Sequence, residues 1–191
     1  MVGVLTLPKP KFKQKKAMSR EQQIAEAYCK LLNSIDWSDK LLVAGLREGL
    51  NKFLSNAFLS LFPKCHKYHR THLVSAAALR QLRAKEYAGL VCEHIVPKTR
   101  YIQKRCEEAA KKGRLTVHDV RDLLDKYWRL ATITKEEDRR LNPVSMPETW
   151  DGVNPLARYE AAGIELLPNP FYHDLEDSDP ARAGRKGDEL R

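Results

Sequence analysis

Between Leu42 and Phe62 apolar residues return every three or four positions: Leu42, Leu46, Leu50, Phe53, Leu54, Ala57, Phe58, Leu61 and Phe62. That period puts them on one side of a long helix, and so wide a stripe has to be covered by other elements. Asp39 or Ser38 serves as N-cap, and Pro63 ends the helix. An earlier run, Ile24, Tyr28, Leu31, Leu32 and Ile35, follows Ser19-Arg-Glu-Gln22, whose spacing is that of a capping box. Two amphipathic helices therefore open the chain and supply much of its core. Neither carries chemistry. The length, 191 residues, suits one domain with flexible ends.

Ser75 caps an alanine-rich helix over 76–87, with Ala77, Leu79, Leu82 and Tyr87 on its apolar side, and Gly89 breaks it. The next stretch, Cys92-Glu93-His94-Ile95-Val96-Pro97, cannot continue a helix easily. Ile95 and Val96 favour extended backbone, and Pro97 keeps Val96 out of the helical region. A strand over 90–96 is predicted. Helix returns with Tyr101, Ile102, Cys106, Ala109 and Ala110 and stops at Gly113. Thr116 opens another helix, with Val117, Val120, Leu123, Leu124 and Tyr127 inward and Asp119 near its positive end. Residues 128–133 read as a second short strand. Thr134-Lys-Glu-Glu137 is a further capping box, so a helix begins at about Lys135 with Asp138 in its first turn. Met146 to Pro155 is an irregular segment bearing Trp150. A short helix after it turns Leu156, Tyr159 and Ala162 inward and Arg158 and Glu160 outward, with Trp150 and Tyr159 packed on the core. From Asn169 the mixture of Pro, Asp, Glu, Gly and Arg reads as disorder.

The formal net charge is +9 and the pI about 9.4, a balance that favours a polyanionic partner, nucleic acid above all. Residues 8–20 carry Lys9, Lys11, Lys13, Lys15, Lys16 and Arg20 without an acid and read as a disordered basic arm. Cys65-His66-Lys-Tyr-His69-Arg-Thr-His72 gathers metal-binding residue types, but its spacing matches no zinc pattern. With Lys64, Lys67 and Arg70 it reads as a basic loop that touches phosphate. Arg80, Arg83 and Lys98 extend the same role to helix surfaces. The four cysteines show no paired spacing and fit free thiols in a reducing compartment. No apolar run reaches the length of a membrane span, so a cytoplasmic protein with no membrane partner is expected.

Chemistry centres on Glu93-His94. A carboxylate can hold a divalent cation, and an imidazole can take a proton from water near neutral pH. Strand neighbours point to opposite faces, so a site using both needs a bend in the backbone or a metal at the strand edge. With Asp138 on a helix directly after a second strand, these are the parts of a ββα metal finger. Glu93-His94-Ile95-Val96-Pro97 is similar to the acid-His-x-x-Pro opening of the HNH, or His-Me finger, nuclease family. Thr132-Ile-Thr-Lys-Glu-Glu-Asp-Arg-Arg-Leu141 resembles its closing strand and helix, and the likeness covers residues 90–141. It implies His94 as the general base and Glu93 and Asp138 as ligands of one divalent cation, with Glu137 in reserve. The cation would stabilise charge on the phosphoryl group. Hard oxygen ligands suit magnesium or manganese better than zinc. The chain departs from the pattern in having Asp138 at the last position and two helices between the strands. It also has no asparagine between His94 and Asp138 to orient the histidine. Thr132, Thr134 or a backbone carbonyl would take that part.

The expectation is an α+β, mostly helical chain carrying a small ββα-metal finger with a helical insertion between its strands. Its parts are a basic arm over 1–18, a helical region over 19–89, the finger over 90–141, a packed extension over 142–168 and a disordered tail over 169–191. The implied activity is metal-dependent hydrolysis of phosphodiester bonds in DNA or RNA. A non-catalytic basic nucleic-acid binder, and a small helical protein that acts on another protein in defence, are the alternatives.

Overall fold

The computed structural model describes residues 18–62 and 65–172. Two helices open it, α1 (Arg20–Asn33) and α2 (Lys40–Ser60), capped by Ser19 and Asp39, whose side chains accept from the amides of Gln22 and Leu42. A short 3-10 turn (Lys67–Arg70) leads into strand β1 (Leu73–Ser75) and helix α3 (Ala76–Arg83), which Ser75 caps. Strand β2 (Leu90–His94) follows. A π-helical turn (Thr99–Gln103) then runs into α4 (Lys104–Lys111), and α5 (Val117–Tyr127) comes next. Strand β3 (Leu130–Thr134) passes directly into the one-turn helix α6 (Lys135–Asp138), and α7 (Ala157–Ala161) and β4 (Leu166–Pro168) come before a last helical stretch over 170–172. The fold is α+β and mostly helical, around a four-stranded mixed sheet of order β2-β3-β1-β4.

Register decides what each face of the sheet carries. β2 runs antiparallel to β3, with Cys92 opposite Thr132, Glu93 opposite Ala131 and His94 opposite Leu130. β1 lies parallel to β3 on its other side, and β4 closes antiparallel on β1. Alternation along each strand then sorts the apolar side chains onto the two faces. Leu130 and Cys92 face a large core built from α1, α2, α4 and α5 through Tyr28, Leu32, Leu54, Phe58, Leu124 and Trp128. Ala131, Ile133 and Ile95 face a smaller cluster with Leu141, Tyr159 and Ile164.

Several expectations change in position. Leu42 is 40 % exposed, so the stripe of α2 is buried only from Leu50 onward, while Pro63 lies outside the described residues. α3 ends at Arg83, earlier than predicted, because Lys85 turns to φ 59° and releases the chain toward β2. Trp128 caps α5 and packs in the core, and the second strand starts at Leu130. Trp150 and Tyr159 pack inward as expected, Trp150 edge-on to Tyr101 at 5.2 Å. Arg158 does not point outward: it is 2 % exposed. Nor does disorder begin at Asn169. That residue is fully buried and its amide nitrogen donates to the carbonyls of Tyr68 and Thr71 at 3.1 and 2.9 Å. The remaining tail and the arm before residue 18 lie outside the described residues. Cys29, Cys65, Cys92 and Cys106 are all free thiols. No described helix is long and apolar enough to cross a membrane.

Candidate functional site

Strand β2 is an edge of the sheet, and the acid-histidine pair occupies its last two positions. β2, β3 and α6 follow as strand, antiparallel strand and helix, with the π turn, α4 and α5 inserted between the strands. The strand stays regular through His94, so the two side chains point to opposite faces.

On the face of the smaller cluster, the Glu93 carboxylate meets the Arg158 guanidinium, Oε1 to Nη2 at 2.9 Å. The same guanidinium donates to the carbonyl oxygen of His94 and, at 2.6 Å, to that of Asn142. Burial pushes the Glu93 carboxyl above the usual carboxylate range, Arg158 pulls it back, and the negative charge of Asp138 pushes it further up. α6, the helix that carries Asp138, packs against β2. The Asp138 carboxylate makes no hydrogen bond or ion pair with the described residues. Tyr159 lies beneath, its ring 5.5 Å from the Arg158 guanidinium carbon, and burial pushes its phenol well above the ordinary range. Glu137 is turned away. Oε2 accepts from the Thr134 amide at 2.9 Å and from the Ser75 hydroxyl at 2.6 Å, which ties the start of α6 to the cap of α3.

On the other face, His94 Nε2 lies 3.3 Å from Ser55 Oγ, and its ring stands edge-on to Trp128 at 4.8 Å. Lys98 donates to the same hydroxyl at 3.1 Å and to the Asn51 carbonyl at 2.6 Å. His94 Nδ1 is buried without a partner. The residue as a whole keeps some exposed area, but the ring nitrogen that matters is enclosed. Burial, then the charges of Lys98 and Arg158, push the imidazole down to about 3. An unpaired buried N–H is costlier than an unpaired lone pair on an sp² nitrogen with no proton to place. The arrangement that avoids it has Nε2–H donating to Ser55, and this leaves the Nδ1 lone pair free.

Thr132 does not orient the histidine. Its hydroxyl meets Thr71 Oγ1 at 2.8 Å and donates to the Tyr68 carbonyl at 3.0 Å. Thr134 is spent on the α6 cap. Ser55, from the middle of α2, holds the place instead. It sits inside the apolar stripe of that helix, where a lone serine reads as filler. Arg158 escaped notice for a related reason: a charged residue on a short amphipathic helix reads as surface. Its one signal is its place two residues after Leu156 and four before Ala162, on the edge of the buried side.

The expected nucleic-acid contacts scatter. Lys64 lies outside the described residues. Lys67, Arg80 and Arg83 are exposed, Lys67 lying 4.9 Å from the Tyr68 ring centre. Arg70 turns inward and donates to the carbonyls of Leu59 and Cys65 at 2.7 and 2.6 Å. Lys98 is occupied by α2, as described. The three histidines of the loop go separate ways: His66 stacks on Tyr87, His69 stacks on Phe171, and His72 accepts from the Leu130 amide through Nδ1 at 3.1 Å. Among the described residues no group of three or more His, Cys, Asp or Glu is arranged to hold a metal ion.

For a divalent cation, the fit therefore rests on Glu93 and Asp138 alone. Two carboxylates whose charges oppose each other, one of them without a partner, are a donor set that a hard cation relieves. Arg158 already relieves part of it from the protein side. No protein-family model, no curated protein and no solved structure matches the chain.

Proposed function

We propose that the chain is a metal-dependent nuclease that hydrolyses phosphodiester bonds, DNA first among its substrates, at the edge of β2. The observation that carries this reading is the packing of α6, which bears the unengaged Asp138 carboxylate, against the edge strand that carries Glu93 on one face and His94 on the other. Glu93 and Asp138 would hold magnesium or manganese, which supplies stabilisation of negative charge on the phosphoryl group and leaving oxygen. His94 would supply Nδ1 as the proton acceptor, which requires that this enclosed nitrogen be uncovered to water when substrate binds. Its low pKa keeps that lone pair free at any pH above about 3 while making it a weak base. Ser55, held by Lys98, fixes the ring, and Arg158 sets the Glu93 carboxylate and draws part of its charge. Because the two faces are separated by the strand, the scissile phosphate has to straddle its edge.

A second reading has one observation in its favour: Arg158 already supplies a cation to Glu93 from within the fold. On that reading the pair is structural, and the chain binds nucleic acid without cutting it. Supercoiled plasmid with the full chain and magnesium or manganese separates the two. The nuclease reading expects nicking that EDTA stops and that His94→Ala and Asp138→Asn each reduce at least about 100-fold, the lower end of what acid–base or charge-stabilising groups contribute. Salt-sensitive DNA retention with no cleavage under either metal, or nicking unchanged in both variants, would falsify it.

A further inference from the structure

Two adjoining cavities, of about 650 and 520 Å³, flank the π turn and α4 and share Thr99, Lys104 and Glu108. The first also takes in Arg100 and Arg105, and the second Arg47, Glu107 and Lys111. Arg47 and Glu107 neutralise each other at 2.8 Å, which leaves Arg100, Lys104, Arg105 and Lys111 facing the single acid Glu108. None of these four cations forms an ion pair among the described residues, and all are exposed. Arg100 and Arg105 lie 5.6 and 5.9 Å from the centre of the Tyr101 ring, so an aromatic floor narrows where their guanidinium groups can go. A chain of hydrogen bonds links the groove to the candidate site. Asn51 lines the second cavity, its carbonyl accepts from Lys98, Lys98 donates to Ser55, and Ser55 meets His94.

We propose that this groove along the π turn and α4 binds the phosphate backbone of a nucleic-acid strand and leads it to the edge of β2. The proposal rests on the reading above only in taking the ligand to be nucleic acid; binding here does not require cleavage. Arg100, Lys104 and Lys111 recur at helical spacing over about 16 Å at 1.5 Å per residue. At one phosphate per 3.4 Å of strand, that length matches about four or five phosphates. The positions the sequence suggested, Arg80 and Arg83, sit on α3, away from this surface. Backbone contacts of this kind bind without reading bases.

The test is fluorescence anisotropy of a labelled duplex with the full chain in EDTA, titrated from 50 to 200 mM salt. Arg100→Gln/Lys104→Gln/Arg105→Gln should bind at least tens-fold more weakly, and its log affinity against log salt should flatten by about 2 to 3, near 0.9 per lost contact. Arg100→Lys/Arg105→Lys keeps the charges and should keep the slope, which guards against a misfolded triple variant. Arg80→Gln/Arg83→Gln should change it little. An unchanged slope in the triple variant, or an equal loss per charge in the α3 variant, overturns the groove. Absent plasmid cleavage alongside a flattened slope sinks the nuclease and leaves the groove standing.

Discussion

Replacing Arg158 with methionine should cost the fold more than replacing Glu93 with glutamine, although the two residues form one ion pair. The guanidinium is 2 % exposed and holds three acceptors together: Glu93, the His94 carbonyl and the Asn142 carbonyl. Its loss strands a partly buried carboxylate and two carbonyls, a mechanism worth about 3–5 kcal/mol. Glu93 is different. Its side chain keeps 24 % of its surface in solvent, and burial, with the charge of Asp138, disfavours its own charge despite Arg158. A neutral glutamine still accepts from Arg158, and the His94 and Asn142 carbonyls stay on the guanidinium, so Glu93→Gln should cost less, about 1–3 kcal/mol, chiefly for the buried cation left without its anion. At about 2–4 °C per kcal/mol for a chain of this size, the melting points should fall by about 6–20 °C and about 2–12 °C. Glu93→Gln/Arg158→Met should be more stable than Arg158→Met alone, since the stranded charge is gone. The raised carboxyl also sets a sign. Its contribution is complete below the unfolded value and is lost as pH rises through the folded one, so wild type should gain on Glu93→Gln as the solution is acidified. Urea unfolding followed by tryptophan fluorescence and far-UV circular dichroism measures all of this. Equal losses from the two single substitutions would mean that the pair, and not the arginine's three-way bridge, holds the segment, and the reasoning would fail.

His94 should show no titration between pH 5 and 8 by nuclear magnetic resonance. Its depressed value means that stability is complete above about 6.5 and drains away toward about 3, and His94→Gln should remove that acid-side loss. Phe58→Ala removes a fully buried ring that touches Phe62, His72 and Trp128, and thermal unfolding should register about 3–5 kcal/mol. Thr134→Ala breaks the capping box of α6 and should cost about 1 kcal/mol; an unchanged melting point would mean that the Glu137–Ser75 bond alone secures the helix start.

Local chemistry was readable where one residue type suffices to determine backbone geometry. Ser19, Asp39, Ser75, Thr116 and Thr134 each cap the helix expected of them, because a short oxygen-bearing side chain before an apolar period has few other uses. The strand at Glu93-His94 was legible through its β-branched followers and Pro97. β1 and β4 were not: each is three residues long, too short for alternation to register, and both exist only because they pair with distant chain. The same limit hid the site's supports. Ser55 and Arg158 act across 39 and 65 positions of sequence, and no local pattern encodes a partner that far away. Arg70 shows the converse, a basic residue whose charge reads as surface but whose donors are consumed by nearby carbonyls.

β1 sits between two strands that arrive much later in the chain, β3 at Leu130 and β4 at Leu166. During synthesis it therefore waits, bare on both flanks until β3 is made and bare on one until β4 follows. Asn169 is what ends that wait, since it docks against the turn preceding β1 and fastens the last strand in place. A shortened chain stopping at residue 165 would keep α1 to α7 but display a ready template for a second molecule, and its first symptom should be self-association rather than unfolding.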